Sequence, residues 1–98
     1  MARIVVSPTA ENALARLIDT HSLPPDTKGR FKRSVAPLAD FPQLGRPLEG
    51  GGYDGLRFVL GPWRWMVVLY EHDGDADVVR ILLVEDARSS TAATNWRA

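Results

Sequence analysis

The pattern of apolar and polar positions predicts a strand followed by a helix at the start of the chain. The β-branched run Ile4-Val5-Val6 predicts a short strand that ends at Ser7 and Pro8. Ser7 is a good N-cap, and Pro8 suits the first position of a helix because its missing N–H would be unpaired there. Apolar residues then recur with helical spacing, which predicts a helix over roughly 8–20. These residues are Ala10, Leu14, Leu17 and Ile18.

A second helical stripe follows the break at 23–26, where two prolines interrupt the pattern. Phe31, Val35 and Leu38 repeat with helical spacing. Pro37 is expected to kink or end this helix, because proline removes its own backbone hydrogen bond. Two amphipathic helices joined by a short break predict an antiparallel hairpin that must pack on an apolar surface.

The second half of the chain has the patterning of strands. Residues 40–55 contain two Pro and five Gly and are predicted to form a loop. Three strands are then predicted, separated by Gly61-Pro62 and by the polar turn at 73–77. They cover 56–60, 63–72 and 78–85. Consecutive apolar positions in the last two strands predict that both of their faces are covered.

This order of elements predicts the fold class. A strand, a helical hairpin and a three-stranded antiparallel meander in one sheet make an α+β domain with two layers. A chain of 98 residues is enough for one domain and too short for two. We expect this domain to cover 1–88. The residues at 89–98 are small and polar apart from Trp96, so we expect a mobile tail there.

Composition excludes several classes of function. Twelve Lys and Arg balance twelve Asp and Glu, which argues against a general nucleic-acid coat protein. The chain has no Cys and only two His, so we predict no disulfide, no metal site and no cofactor. The longest apolar run, 65–70, is far shorter than the roughly 20 residues of a membrane span. We also expect no signal peptide, because Ser7 and Pro8 interrupt the first apolar run. We therefore expect a soluble, cytoplasmic protein with no membrane partner.

Charge is distributed unevenly along the chain. Residues 1–70 hold nine basic and six acidic residues, whereas 71–98 hold three basic and six acidic ones. The densest basic cluster lies on the second helix, away from its apolar stripe. A solvated helix face is the ordinary interpretation, and a site for phosphates or for an acidic partner segment is the alternative. The cluster consists of Lys28, Arg30, Lys32 and Arg33.

The pattern places Arg57, Arg64 and Arg80 within strands. An arginine in such a strand must reach solvent, pair with a carboxylate or face a groove. Pairing is the ordinary interpretation, and the candidate partners are Asp54, Glu71 and Glu85. Convergence of these arginines on an open sheet face would instead make a site for a phosphodiester or a carboxylate.

Tyr70 is the other residue that could carry chemistry, as a proton donor. A strand tyrosine is more often a core residue with its hydroxyl at the rim. Glu85 and Asp86 are adjacent on a strand and point to opposite faces, so a two-carboxylate site is not predicted. From these residues alone, nothing identifies an enzyme.

Motifs spread over about 4–88 agree in order and spacing with one known group of proteins. They are Val6-Ser7-Pro8 with Ala10, Pro42 before Leu44-Gly45-Arg46-Pro47, Gly55-Leu56-Arg57, Tyr70, and Asp77-Val78-Val79-Arg80-Ile81-Leu82 before Ala87-Arg88. Together they resemble the RelE/ParE superfamily of bacterial toxins, which belong to toxin–antitoxin and plasmid-stabilisation modules. The resemblance implies a compact toxin, neutralised by an antitoxin whose C-terminal segment wraps the helices and sheet.

The resemblance implies one of two activities. RelE-like members are ribosome-dependent messenger-RNA endonucleases whose Lys and Arg bind the phosphate and stabilise developing charge. ParE-like members inhibit DNA gyrase and have no catalytic residues of their own. Arg57 matches the arginine of the family's Leu-Arg motif, and Arg88 matches the basic position after the last strand. In a ribonuclease these two would be catalytic. The residues expected to bind RNA or a partner are Lys28, Arg30, Lys32, Arg33, Arg46, Arg57 and Arg80.

Three departures from the nuclease pattern favour the ParE-like branch. Residues 89–94 contain no Tyr, Val67 stands where the nuclease branch often has Arg, and the net charge is zero. The first hypothesis is therefore a toxin that inhibits DNA gyrase by binding it. A RelE-like ribonuclease acting with the ribosome on messenger RNA is the alternative, and a non-toxic adaptor domain is the second alternative.

The cognate antitoxin is expected to contact the helical hairpin. A domain of this size cannot cover every apolar face by itself. The antitoxin should therefore bind where the helices leave apolar surface uncovered, together with the basic cluster. The apolar candidates are Leu14, Leu17, Phe31 and Val35.

Overall fold

The computed structural model describes residues 1–48 and 55–88, and their elements follow the predicted order. The elements are β1 (Arg3–Val6), α1 (Pro8–Thr20), α2 (Thr27–Val35), a 3-10 turn (Ala36–Ala39), β2 (Arg46–Pro47), β3 (Leu56–Leu60), β4 (Met66–Asp73) and β5 (Val78–Asp86). The tail predicted over 89–98 lies outside the described residues. So does the part of the predicted loop at 49–54.

The start of α1 is fixed by the predicted cap. The Ser7 hydroxyl accepts a hydrogen bond from the Ala10 N–H at 3.1 Å and also donates to the Leu82 carbonyl at 3.2 Å. One side chain thus caps the helix and ties its first turn to β5. The helix predicted over 8–20 is confirmed.

The second helix ends before Pro37, as predicted. Its regular α-helical part stops at Val35, and Pro37 lies in the 3-10 turn that follows. The Pro37 carbonyl then accepts the Phe41 N–H at 2.9 Å. This turn keeps Leu38, the last member of the apolar stripe, fully buried.

The sheet has five strands in the order β1-β5-β4-β3-β2. The first strand runs parallel to the last, and the other pairs are antiparallel. The sequence pattern did not predict β2, in which Arg46 pairs with Phe58 and Pro47 with Arg57. Proline is tolerated there because β2 is an edge strand, where an N–H is not needed for a second ladder.

The long strand predicted over 63–72 begins three residues later than expected. The Gly61 N–H donates to the Met66 carbonyl at 2.8 Å, and the Met66 N–H donates to the Trp63 carbonyl at 3.0 Å. These bonds close a turn between β3 and β4. Arg64 lies in this turn, so its predicted place within a strand is wrong.

Both helices pack on the same face of the sheet. Alternation along β4 directs Met66, Val68 and Tyr70 towards the helices, and all three are buried in one core. The full core consists of Ala2, Ala10, Leu14, Phe31, Val35, Leu38, Met66, Val68, Tyr70, Val79, Ile81 and Val84. On the opposite face Leu69 and Leu83 pair with each other and are only partly buried, so the prediction that both faces are covered is wrong there.

Among the described residues, neither helix combines the length and apolar character needed to cross a bilayer.

Candidate functional site

A cavity of about 240 Å³ lies beside the helical hairpin. Its lining comes from β1, α1 and α2 and consists of Val6, Glu11, Leu14, Lys28, Phe31 and Lys32. Leu14 and Phe31 come from the buried helical stripes and Val6 from β1, whereas both lysines and Glu11 are exposed. The cavity is therefore an apolar depression with two cations on its α2 side and one carboxylate on its α1 side.

The expectation that the helices leave their apolar stripes uncovered is wrong. Leu14, Phe31 and Val35 are buried in the core, and Leu17 packs against it partly buried. The reason is that the hairpin turns its stripes onto the sheet, which removes them from water. Leu14 and Phe31 still reach the cavity lining, whereas Val35 and Leu17 are not part of it. Contact with an antitoxin stays a prediction for these residues.

Three members of the basic cluster are free of carboxylates. Lys28, Lys32 and Arg33 are exposed and form no ion pair with any of the described residues. Arg30 differs, because its Nε lies 2.9 Å from Asp26 Oδ2, one helical turn away. Its guanidinium also lies 5.8 Å from the centroid of the Trp63 ring. The cluster thus offers three cations at the surface.

Tyr70 and Arg57 together hold the loop before β2. The buried Tyr70 hydroxyl donates to the Pro42 carbonyl at 2.7 Å and accepts the Gly45 N–H at 2.9 Å. Arg57 Nη1 donates to the Gly45 carbonyl at 2.7 Å and to the Gln43 carbonyl at 3.3 Å. Burial raises the pKa of Tyr70, and the Gly45 N–H opposes that rise. Both polar groups are therefore committed to the loop.

Arg88 is held by a carboxylate and an aromatic ring. Its Nε and Nη2 donate to the two carboxylate oxygens of Asp86 at 3.0 and 3.1 Å, and its guanidinium lies 4.6 Å from the Trp65 ring centroid. His21 Nε2 lies 3.2 Å from the same carboxylate. The hydrogen bonds from Arg88 hold the pKa of Asp86 below its usual range. This bidentate pair occupies one of the two hydrogen-bonding edges that the Arg88 guanidinium could offer to a phosphate.

The structure keeps Arg57 and Arg88 apart. Arg57 pairs across the sheet with Tyr70, whereas Arg88 follows Asp86, which pairs with Met66. Their partners on β4, Tyr70 and Met66, are four residues apart, which corresponds to roughly 13 Å along the strand at about 3.3 Å per residue. Both guanidinium groups are also engaged with the protein itself. The two candidate catalytic residues thus share no site.

Arg80 and Arg64 also fail to join Arg57. Arg80 pairs across the sheet with Glu71, on the face opposite the helices, and lies 3.7 Å from its carboxylate and 3.4 Å from that of Asp73. Pairing with an acid, the ordinary interpretation, is thus confirmed for Arg80. Arg57 bonds to carbonyl groups instead, and Asp54, one of its candidate partners, lies outside the described residues. Arg64 is exposed in its turn.

One role that the sequence interpretation missed belongs to Gly45. A Cβ at this position would lie 2.6 Å from the Tyr70 ring and hydroxyl and 2.7 Å from the Phe58 carbonyl oxygen. Only glycine therefore fits between Tyr70 and β3. The signal was present, because Gly45 belongs to the Leu44-Gly45-Arg46-Pro47 motif, but nothing in the pattern connected it to Tyr70, 25 positions away.

Among the described residues, no group of three or more His, Asp or Glu side chains is placed to hold a metal ion.

Comparison with known proteins places the chain among bacterial toxins. The family model described as ParE toxin of type II toxin–antitoxin system, parDE, matches residues 4–90. No protein with a curated description matches the chain by sequence.

Solved structures share the fold at low identity. The RelBE2 toxin–antitoxin complex of Mycobacterium tuberculosis contains a chain that is 23% identical, with a TM-score of 0.64 over 87% of this chain and 96% of that one. A mutant of the Escherichia coli toxin RelE in the free state is 16% identical, with a TM-score of 0.62 over 98% and 95%. The conserved hypothetical protein HP0892 of Helicobacter pylori is 12% identical, with a TM-score of 0.60 over 95% and 99%.

Proposed function

Because the chain belongs to the ParE toxin family of type II toxin–antitoxin systems, we propose that it acts in the cytoplasm as a ParE-like inhibitor of DNA gyrase. It acts by binding its target and not by cutting a substrate. A cognate antitoxin neutralises it. This proposal is finer than the family assignment, because the RelE/ParE fold is shared by toxins of both activities.

The state of the arginines carries the proposal. A ribonuclease of this fold needs cations that converge on a phosphate and are free to stabilise its developing charge. Here Arg57 donates to backbone carbonyls, Arg88 forms a bidentate pair with Asp86, and Arg80 lies between two carboxylates. Tyr70, which could have supplied a proton, donates its own to the Pro42 carbonyl. These contacts favour a toxin without catalytic residues.

A supercoiling assay with purified DNA gyrase tests this function. The full chain should inhibit supercoiling of relaxed plasmid in proportion to its concentration, and addition of the cognate antitoxin should restore gyrase activity. Variant Arg88→Lys, which removes the guanidinium but keeps the charge, should be tested beside the wild type. Arg88 contacts Asp86 and Trp65 and not the loop before β2, so a binding inhibitor tolerates this change, whereas a nuclease that uses Arg88 no longer cleaves messenger RNA.

The nuclease alternative predicts a different result in cells. Primer extension on messenger RNA after induction of the toxin would show defined cleavage at the ribosomal A site. Such cleavage, together with normal gyrase activity, would contradict the proposal. Normal growth at a high level of the protein without antitoxin would instead support a non-toxic adaptor.

The antitoxin is proposed to bind at the helical hairpin. The cavity there presents Leu14 and Phe31 beside two exposed lysines, Lys28 and Lys32. An acidic, amphipathic segment suits such a surface, because its apolar side chains fill the depression while its carboxylates meet the lysines. Arg33 lies on the same helix and extends the basic surface.

A further inference from the structure

Large apolar side chains are exposed where the loop before β2 meets the end of β3. We call three of these residues the apolar patch. They are Phe41, Leu44 and Leu60, which are 63%, 59% and 49% exposed. Two shallow depressions border the patch. The first, of about 410 Å³, lies between 44–46 and 58–60, and the second, of about 450 Å³, follows 40–44. Neighbouring apolar side chains that are exposed to solvent often mark a site where another molecule binds.

The protein holds this patch in a fixed shape. Phe41 directly precedes Pro42 and Leu44 directly precedes Gly45, the two residues whose backbone the Tyr70 hydroxyl binds. The Leu44 N–H donates to the Phe41 carbonyl at 3.0 Å, which brings the two apolar residues to the two ends of one turn. Leu60 ends a regular strand. A surface that is rigid before binding loses little conformational entropy when a partner arrives, so its apolar contacts contribute more fully to affinity.

Among the residues that the structure describes, those next to the patch cover the edge of the sheet only in part. The short strand β2 pairs with Arg57 and Phe58 and goes no further along β3. Val59 and Leu60 continue β3, and their strand partner, β4, lies on the other side. An extended peptide in line with β2 would reach this stretch of edge, as partners do when they add a strand to a sheet. The first depression lies along the same line.

The charge beside the patch selects the chemistry of the partner. Arg46 is exposed, lines the first depression and forms no ion pair within 1–48 and 55–88. Across the sheet it pairs with Phe58, so its side chain lies on the same face as Phe58 and Leu60. A carboxylate next to apolar side chains would complement this arrangement.

We propose that the apolar patch and Arg46 bind an extended segment of the target protein that carries apolar side chains and an acidic residue. This inference rests on the proposed function, since it assigns the surface that meets the target. It separates that surface from the antitoxin cavity, because none of the described residues lines both the cavity and the depressions beside the patch. The target and the antitoxin thus meet different residues of the toxin.

The test compares a patch variant with a matched control. The triple variant Phe41→Ser, Leu44→Ser, Leu60→Ser changes exposed side chains and should keep the fold, which thermal unfolding checks. Val5→Ser is the control, because Val5 is also an exposed apolar strand residue (38%) but lies on β1, at the other edge of the sheet. Binding to immobilised gyrase, inhibition of supercoiling and affinity for the antitoxin are measured for each.

We expect the triple variant to bind gyrase at least tenfold more weakly and to lose inhibition in proportion, with its antitoxin affinity unchanged. The control should match the wild type throughout. Variant Arg46→Glu should weaken gyrase binding more than Arg46→Gln does, because a reversed charge repels the acidic residue of the partner. Equal gyrase binding by wild type and triple variant would overturn the inference and leave the proposed function intact.

Two other outcomes are equally decisive. If the wild type neither binds nor inhibits gyrase, the proposed function is wrong, and so is the inference that rests on it. If sedimentation shows a wild-type dimer that the triple variant lacks, with no change in gyrase binding, the patch joins two copies of the chain and the inference is wrong.

Discussion

At the scale of single residues, Asp86 links the end of β5 to the end of α1. Its carboxylate accepts from Arg88 at 3.0 Å and lies 3.2 Å from His21, at the end of α1. The His21 ring in turn packs against Trp65, with 4.8 Å between centroids. The charged form of Asp86 is therefore favoured by the folded protein, which makes the contribution of this residue to stability dependent on pH.

The first prediction concerns acid unfolding. Arg88 lowers the pKa of Asp86 in the folded state, whereas the unfolded chain has the ordinary value of about 3.9. The stabilisation is thus fully present above about pH 4 and is lost as pH falls through the lowered pKa of the folded state. Urea unfolding of variant Asp86→Asn should show a smaller loss of stability between neutral and acidic pH than the wild type shows.

Asp73 also contributes to the loss of stability in acid, so removing the Asp86 carboxylate should not abolish that loss. Its pKa is also lowered, chiefly by the N–H of Ala76, so part of the acid dependence should survive in Asp86→Asn. An Asp86→Asn variant with the same pH dependence as the wild type would show that the pair with Arg88 does not favour the charged carboxylate.

At the scale of elements, the loop before β2 depends on a glycine. Gly45 lies against Tyr70 and the backbone of β3, and a Cβ there would come within 2.7 Å of the Phe58 carbonyl oxygen. A backbone atom in a paired strand cannot move aside as a flexible side chain can. The loop, Tyr70 and β3 therefore form one packed unit.

The second prediction compares two glycine substitutions. Gly45→Ala should lower the free energy of unfolding by about 1–3 kcal/mol, the usual cost of forcing an extra methyl group into packed structure. Gly74→Ala is the matched control, because a Cβ at Gly74 would meet no atom within 4 Å, and its effect should stay within about 0.5 kcal/mol. Equal stability of the two variants would contradict the packing described for Gly45.

At the scale of the whole molecule, a neutral net charge hides a separation of charge over the surface. Lys28, Lys32 and Arg33 on α2 form no ion pair with any of the described residues, while Arg80 and Arg88 are paired with acids of β4 and β5. Free cations next to a cavity can guide an acidic partner to it even when the molecule as a whole is neutral.

The third prediction concerns the contribution of the exposed lysines of α2 to antitoxin binding. Each exposed pair contributes up to about 1 kcal/mol, and reversal replaces that attraction by a repulsion of similar size. The double variant Lys28→Glu, Lys32→Glu should therefore bind the antitoxin at least about tenfold more weakly at low salt, and the difference should shrink at high salt. Calorimetric titration measures this.

A matched control carries the same change in net charge elsewhere. Arg3→Glu with Arg64→Glu alters two exposed arginines that do not line the cavity, and it should leave affinity near the wild-type value. Equal weakening by both double variants would indicate a general effect of net charge and would remove the lysines from the contact.

The local elements could be predicted because their signals are local. Ser7 and Pro8 define the start of α1, and Pro37 explains the end of α2. The contacts of Tyr70 and Arg57 could not be predicted, because they join residues far apart in the chain through a loop without periodicity. For the same reason the pattern showed that Leu14 and Phe31 are apolar but could not show how completely the sheet covers them.

The pairing of β1 with β5 has a consequence for how the toxin comes into being on the ribosome. The contact between Ser7 and Leu82 spans 75 positions, and β1 has β5 as its neighbour in the sheet. A nascent chain that has not yet reached β5 thus lacks the support for both its first strand and α1, and such distant pairing also slows folding. The folded toxin therefore cannot form before β5 has been synthesised, which gives a cognate antitoxin already present in the cell time to capture each new copy as it folds.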